Sequence, residues 1–519
     1  MPRQLPFPGP VFARSTVGKP TICRVVPRSV QQFRLCNVWL SSFLASLVVA
    51  TFFSLSVAEA AEPVPGFRAG AANSNITPPI GGLIIGGFSP LPSTNVHDDL
   101  HAHCIVLDDG KTQLALVVCD LLGISTETCQ AAQALIEKNS GIPAGNVLIC
   151  ATHTHSASSC LGPNRYEIGA ELDDYQKFVA RRIADGVQRA KHLLRPAEFG
   201  FGTVEIPEHV FNRRWYLKEG AMPPNPFGKT DDKVKMNPRA GSPDLVKPAG
   251  PTDPTVSILS FREPDGKPIA LLASYSLHYV GGVPATDISA DYYGRFPEHF
   301  LELSGLEHQN PPFIPIMANG TSGDINNINF KNPRPRKEPY EQMNSVARDV
   351  ATKVLAALKE IKYDRDVTLA ARFRQIKLKF RHPDAQTLEW AEKVVAAGPK
   401  KRGDLSYAYA ERAVKIADVP EEAPIPLQVL RIGKLCIGTM PCEIFSEIGL
   451  EFKKRCPIQP AFLMSLTHGY LGYLPPPRQV DLGGYETWLG TNRLEREASD
   501  KMLAELLKMA EEVKPSPEK

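Results

Sequence analysis

Apolar residues recur along this chain with two different periods, and the alternation between those periods predicts its architecture. Residues 114–118 and 147–151 are short apolar runs rich in β-formers, the pattern of buried strands. Between them Ser125 opens a helical stretch carrying Glu127 and Glu137, closed by Gly141-Ile142-Pro143. Strand, helix and strand within about forty residues predict a βαβ unit with a parallel pair. Residues 173–195 read as a long helix, with Tyr175, Val179, Ile183, Val187 and Ala190 on one stripe. Residues 340–361 repeat that pattern through Met343, Val346, Val350, Val354 and Leu358, and a third helix is predicted from Asn492 to about Val513. Residues 256–261 and 269–275 form an expected hairpin around Asp265-Gly266. Further strands are expected at 368–380 and 427–439, with helical segments between them. The stretch 217–250 is crowded with Pro, Gly and Lys, keeps no period, and is predicted to be a surface excursion. The chain shows no internal sequence repeat and no low-complexity tail. The expected fold is α/β: one large domain over residues 61–513, with mixed β-sheets flanked by helices and 514–519 as a tail.

The first sixty residues stand apart. Arg3, Arg14, Lys19, Arg24, Arg28 and Arg34 form a basic lead, residues 38–57 are uncharged and mostly apolar, and Ala58-Glu59-Ala60 is a small-x-small cleavage signature. Residues 1–60 read as a secretory signal peptide, with an uncleaved anchor as the alternative because the apolar run is long enough to span a bilayer. Either way the remainder is expected to be exported: periplasmic, secreted or held at the cell surface. Removing the leader changes the charge argument. The whole chain carries a formal +3, but the leader holds six Lys/Arg and one acid, leaving 53 basic and 55 acidic residues and a charge of −2. Nothing then marks a nucleic-acid surface. The composition, 43% hydrophobic and 22% charged, belongs to a globular protein long enough to bury a large core without disulfides. Eight cysteines remain, at 104, 119, 129, 150, 160, 436, 442 and 456, and none forms a CxxC pair, so a structural zinc site is not expected. Cys119, Cys150 and Cys436 sit in apolar runs and are expected to be buried, while an exported protein admits one or two disulfides.

Candidate chemistry gathers where apolar runs end. Thr152-His153-Thr154-His155-Ser156 follows the run 147–151, and two neutral imidazoles at i and i+2 on one side make a zinc corner or, equally, a hydrogen-bonding pair. His278 ends the run 269–277 and precedes the glycine turn Gly281-Gly282. Glu443 stands between the strand 427–439 and a helix from Ser446, where a carboxylate is either a ligand or a helix cap. The segment His468-Gly469-Tyr470-Leu471-Gly472-Tyr473-Leu474-Pro475 places aromatics in a Gly/Pro loop rather than on an apolar stripe. His97, His101 and His103 alternate on one segment and are expected to be structural or to form a second site, and Asp120 and Asp291 are candidate pocket carboxylates. There is no HExxH helix, no GxSxG elbow and no Gly-rich phosphate loop.

Taken in order, these segments resemble the neutral/alkaline ceramidase family. The opening Ala71-Ala72-Asn73-Ser74-Asn75-Ile76-Thr77-Pro78-Pro79, then Ile105-Val106-Leu107-Asp108-Asp109-Gly110, then Val118-Cys119-Asp120-Leu121-Leu122-Gly123-Ile124 carry the same resemblance, which runs from about Gly70 to Gly490. The resemblance implies one zinc ion per chain, held by His153, His278, Glu443 and Tyr473, with His155 beside it or near its water. It implies a substrate-lining Arg213 and a Tyr485 that approaches the reacting group. It further implies a zinc-dependent amidohydrolase of sphingolipid metabolism acting on linear amides, N-acylsphingosine to sphingosine plus fatty acid, by attack of zinc-bound water. Two departures matter. The family's essential serine falls at Asn326 in Gly323-Asp324-Ile325-Asn326-Asn327, and an amide cannot act as a nucleophile or proton shuttle. The chain also stops without the family's C-terminal immunoglobulin-like domain. The alternatives are a zinc hydrolase of a different amide or ester, or a non-catalytic exported binding protein on the same scaffold. The expected partner is a small-molecule or lipid amide, with peripheral membrane contact admitted.

Overall fold

The computed structural model describes residues 66–87 and 90–515. The leader, and with it the cleavage and anchor expectations, lies outside the described residues.

The chain builds one topological unit three times over. In the first unit the strands Arg68–Asn75, His101–Asp108 and Gln113–Cys119 pair antiparallel in that order. The helix Thr126–Ser140 then crosses over, Val147–Ala151 runs parallel to Gln113–Cys119, and the long helix Asp174–His192 follows. The second unit repeats this with Glu198–Glu205, Thr255–Arg262 and Pro268–Tyr275, the helix Asp291–Ser304, the parallel strand Ile314–Asn319 and the helix Glu341–Ala357. The third uses Leu369–Lys379, Glu422–Ile432 and Leu435–Thr439, the helix Ser446–Arg455, the parallel strand Ala461–Met464 and the helix Ala498–Glu512. Two extra helices, Ala385–Ala397 and Leu405–Ile416, are inserted between the first two strands of this third unit. No sequence repeat announces the repetition, because topology follows the order of apolar periods rather than residue identity.

The three sheets share one core. Ile105, Leu116 and Val118 from the first, Leu259, Leu272 and Ile316 from the second, and Leu430, Ile437 and Met464 from the third belong to one buried cluster. Each sheet turns its other face to its own helices: Val117 and Ile149 meet Val179 and Ile183, Ile258 and Met317 meet Phe296 and Val350, and Val429 and Leu463 meet Phe452 and Leu506. Burial on both faces explains why strands such as Gln113–Cys119 and Ile314–Asn319 read as continuous apolar runs, each large side chain contributing about 1.5–3 kcal/mol.

Local signals place the helices. Ser125 accepts from the Thr128 N–H, Gly141 closes the same helix in the left-handed region with φ 68°, and Asp173 forms a reciprocal capping box with Gln176. The predicted βαβ unit, hairpin and first two long helices are all present.

Four expectations need correction. The last helix starts at Ala498 rather than Asn492, because Asn492 donates to the Tyr473 carbonyl and Arg493 to those of Arg165 and Tyr470. The strand expected at 427–439 is two strands, Glu422–Ile432 and Leu435–Thr439, parted by a turn in which Gly433 takes φ 56°. The excursion 217–250 is not wholly irregular: Lys235–Met236 and Leu245–Pro248 flank Arg214–Leu217 in a small sheet, held by backbone bonds that need no apolar period. All eight described cysteines are buried free thiols, so the core forms without a disulfide among the described residues. No helix among the described residues is long and apolar enough to cross a membrane.

Candidate metal and catalytic site

The candidate residues come from all three units, and each lies just beyond the carboxyl end of a strand in a parallel pair. His153 follows Val147–Ala151, His278 follows Pro268–Tyr275, and Glu443 follows Leu435–Thr439. Crossover strands leave their carboxyl ends open for ligands, and here three such openings face one another. Backbone bonds stitch them together. Ala151 N donates to Leu466 O at 3.2 Å, Leu466 N to Cys442 O at 3.1 Å, and the Asn319 side chain to Thr152 O at 3.1 Å. The two histidines of the His-x-His segment do not converge by strand alternation, because both lie past the strand. His153 takes φ 72°, and this left-handed residue turns the chain so that its Nε2 and that of His155 are 3.2 Å apart.

The donor chemistry fits a metal ion. His153 Nδ1 donates to the Leu122 carbonyl at 2.7 Å and His278 Nδ1 to the Ser322 carbonyl at 3.1 Å. A carbonyl only accepts, so each ring carries its proton on Nδ1 and offers a lone pair at Nε2. Those lone pairs face a carboxylate oxygen: Glu443 Oε2 is 3.2 Å from His153 Nε2 and 3.8 Å from His278 Nε2. Both His278 Nε2 and Glu443 Oε2 are buried without a hydrogen-bond partner. Leaving a buried polar atom in that state costs about 1–3 kcal/mol, and opposing lone pairs add repulsion. A cation removes both penalties. The nearest-neighbour spacings match the edge of a tetrahedral zinc site, about 3.3 Å for ligands 2.0–2.1 Å from the ion. The ligand atoms of His153, His155 and His278 all lie within 4.8 Å of one another, the first and last residues buried and His155 half-buried.

The surrounding electrostatics favour that use. Burial, with the charge of Arg213 and the neighbouring histidines, pushes the His155 and His278 imidazoles well below their ordinary pKa, so both are neutral at neutral pH. Burial alone would raise the Glu443 carboxyl. His153, the nearby Tyr473 hydroxyl and the charge of Arg213 outweigh it and hold the group below its ordinary value. Tyr470 donates to Glu443 Oε1 at 2.8 Å, which leaves Oε2 to face the histidines. Burial also drives the Tyr470 and Tyr473 phenols well above their ordinary pKa, so both hydroxyls keep their protons.

Arg213 lies with its guanidinium 5.1 Å from the Tyr473 ring and donates from Nε to Glu486 at 2.8 Å. Its Nη2 is buried without a partner. Glu486 also binds Arg214, at 2.6 Å, so one buried carboxylate fixes two arginines. The Tyr485 ring is 5.7 Å from that of Tyr473. Neither Tyr470 nor Glu486 was singled out from the sequence; the signal for Tyr470 was its Gly/Pro loop, and for Glu486 its place beside Tyr485.

Asn326 sits in a short strand opposite Phe211, and its amide is engaged by Asn237 at 3.1 Å and by the Ile328 N–H at 3.2 Å. Glu443 is not the cap of the helix Ser446–Arg455, since that position belongs to Phe445. Asp120 and Asp291 belong to the scaffold rather than to a pocket wall. Asp120 accepts from the His101 N–H and from His103, both at 3.0 Å. Asp291 accepts from the backbone of Val280 and Gly281 and fixes the turn after His278. His97 binds Asp98 at 2.6 Å and stacks on Tyr340, apart from any ligand group among the described residues.

No family model matches the chain. The neutral ceramidase of Pseudomonas aeruginosa is 22% identical over 479 residues, covering 80% of this chain but only 66% of that protein, a little under two thirds. A crystal structure of neutral ceramidase from the same organism superposes with a TM-score of 0.62 at 17% identity, over 86% of this chain and 74% of that one. The chain is similar to the neutral ceramidases in sequence and in fold. A solved ceramidase complexed with C2 gives a TM-score of 0.63 at 18% identity, over 86% of this chain and 75% of that one. The shared architecture is the mixed α/β body described above.

Proposed function

We propose that this protein is an exported zinc-dependent hydrolase of N-acyl amide bonds, ceramidase-like in its reaction. The observation that carries the reading is the convergence of His153 Nε2, His278 Nε2 and Glu443 Oε2, with both histidine Nδ1 atoms tied to carbonyls and the last two of the three atoms buried without a hydrogen-bond partner. His155 Nε2 joins them, and Tyr473 remains the fourth ligand that the family resemblance supplies.

A zinc ion at these groups supplies Lewis acidity, polarising an amide carbonyl and making water more acidic. The chain's own residues do the rest. Arg213 Nη2, buried and unpartnered, is a donor for the oxygen that gains negative charge when the carbonyl is attacked. Glu486 holds that guanidinium in place, so little reorganisation is needed as charge develops. Tyr485 stands beside Tyr473, where a protonated phenol can donate to the same oxygen or to the leaving nitrogen. Asn326 supplies no hydroxyl, and its amide is already engaged, which supports direct attack by water over a serine relay. That substitution also favours a second reading, in which the amide or ester hydrolysed is not ceramide.

The test is zinc content and N-acylsphingosine hydrolysis of the purified protein, beside His278→Ala, Glu443→Gln and His155→Ala. Wild type is expected to hold one zinc per chain, and His278→Ala and Glu443→Gln to lose at least tenfold in zinc affinity together with turnover, in line with the cost of a ligand-sphere defect. His155→Ala separates its two uses: loss of zinc makes it a ligand, and retained zinc with lost turnover makes it a proton carrier. Zinc-free wild type, or turnover indifferent to all three substitutions, would falsify the metal assignment.

A further inference from the structure

A cavity of about 600 Å³ opens beside the histidine cluster, walled by Ile85, Leu161, Tyr166, Arg165, Arg412 and Lys415. Gly86, between two residues of this wall, lies so close to His155 that a Cβ there would stand 2.2 Å from the His155 carbonyl oxygen. Arg165 also lines a second, adjoining recess with Tyr470, whose hydroxyl binds Glu443. The cavity is therefore one residue layer from the candidate metal site on two sides.

The charge in that wall is unbalanced. Arg165, Arg412 and Lys415 face it, against Asp173 and Glu411. Asp173 is occupied in capping the helix Asp174–His192. Among the described residues, Arg165 makes no ion pair and no hydrogen bond from its guanidinium; its recorded contact is with the Tyr166 ring, 5.7 Å away. The aromatic groups within electrostatic reach, Tyr166, Tyr470 and Tyr485, are phenols, and burial drives those of Tyr470 and Tyr485 further from ionisation, so they do not neutralise it. Arg412, a second cation, adds repulsion. The segment is nonetheless held firmly, because the buried Arg493 donates to the Arg165 and Tyr470 carbonyls at 3.0 and 3.1 Å. A half-buried guanidinium kept beside like charge and without an ion pair is costly unless something anionic completes it, and its planar fork suits an oxyacid.

We infer that this cavity binds an oxyacid group of the substrate through Arg165, so that the amide hydrolysed here is an anionic N-acyl compound rather than a neutral one. The inference rests on the amide-hydrolase reading of the neighbouring site and names its substrate class. The apolar walls at Ile85 and Leu161 accommodate the hydrocarbon part, and the arginine reads the acid.

The experiment compares kcat/KM of the zinc-loaded protein for N-dodecanoylglycine and N-dodecanoyl-6-aminohexanoate with that for the neutral N-dodecanoylethanolamine. N-acylsphingosine 1-phosphate set against N-acylsphingosine separates a phosphate from a carboxylate. Binding of decyl phosphate and of decanol is measured by calorimetry in parallel. Wild type is expected to prefer at least one acid over its neutral partner by about tenfold or more, and to bind decyl phosphate tighter than decanol by a similar factor. Arg165→Gln should abolish both preferences, chiefly through KM, while Arg165→Lys keeps part of each and shows that the fold survives. Neutral amides cleaved as well as acids, with the ratio unmoved by Arg165→Gln, would overturn the inference and leave the amide-hydrolase reading standing. If no amide of either class is cleaved, that reading fails. The binding arm then decides the cavity: equal affinity for decyl phosphate and decanol refutes it, and an Arg165-dependent difference upholds it.

Discussion

At Glu443 the two oxygens of one carboxylate have different neighbours. Oε1 takes a hydrogen bond from Tyr470, and Oε2 takes none and faces two imidazole lone pairs. Such division of labour is decided residue by residue, and a second buried carboxylate shows the opposite outcome. Asp324 is fully buried and accepts from Ser446 N at 2.8 Å and from Asn212 at 2.7 Å, yet burial outweighs these bonds and pushes its pKa up to about 6. Its folded pKa thus lies above the unfolded value, so the native state holds a proton that the unfolded chain has lost between about pH 4 and pH 6. The stabilisation is fully present below about pH 4 and disappears as pH rises through 6, a swing of about 2–3 kcal/mol. Asp324→Asn lacks the titration. In urea unfolding of the metal-free protein, the stability gap between wild type and Asp324→Asn should therefore narrow from about pH 4 to about pH 7.5. A constant gap would show that Asp324 titrates alike in the folded and unfolded chains.

Between elements, the site depends on how closely three strand ends approach. Gly323 donates its N–H to Ile444 O at 2.8 Å, and a Cβ on it would stand 2.5 Å from the Glu443 carbonyl oxygen. That contact joins the segment after Ile314–Asn319, in the second unit, to the segment after Leu435–Thr439, in the third. Gly323→Ala is expected to push the Glu443 peptide aside, to cost about 1–3 kcal/mol in thermal unfolding, and to weaken zinc retention during dialysis. An unchanged melting temperature with full zinc would mean that the two segments can part freely. The same close approach explains a limit of sequence reading. Gly323 was visible in the sequence as one glycine in a polar loop, and nothing local distinguishes a turn from a backbone contact with a segment over a hundred residues away.

For the molecule as a whole, export is the expectation that rests on sequence alone, since the leader lies outside the described residues. N-terminal sequencing of the exported protein is expected to begin at Ala61, and an intact leader on a membrane-bound form would identify an anchor instead. Within the body, apolar periods by themselves determined the βαβ unit, the hairpin and two long helices, because each is stabilised mainly by neighbours close in sequence and by its own caps. Strand ends opening into loops were enough to bring out His153, His278 and Glu443 as candidates, and the family resemblance added Arg213 and Tyr473. Only the tertiary structure decided that the three sheets share one core and that their parallel pairs open onto one point. It alone drew His155 to 3.2 Å from His153 through a left-handed turn, set Tyr470 against Glu443, and left Arg165 without an ion pair among the described residues. Those outcomes depend on contacts between residues far apart in the chain, and a periodicity, which is a local average, carries no information about which distant segment it will meet.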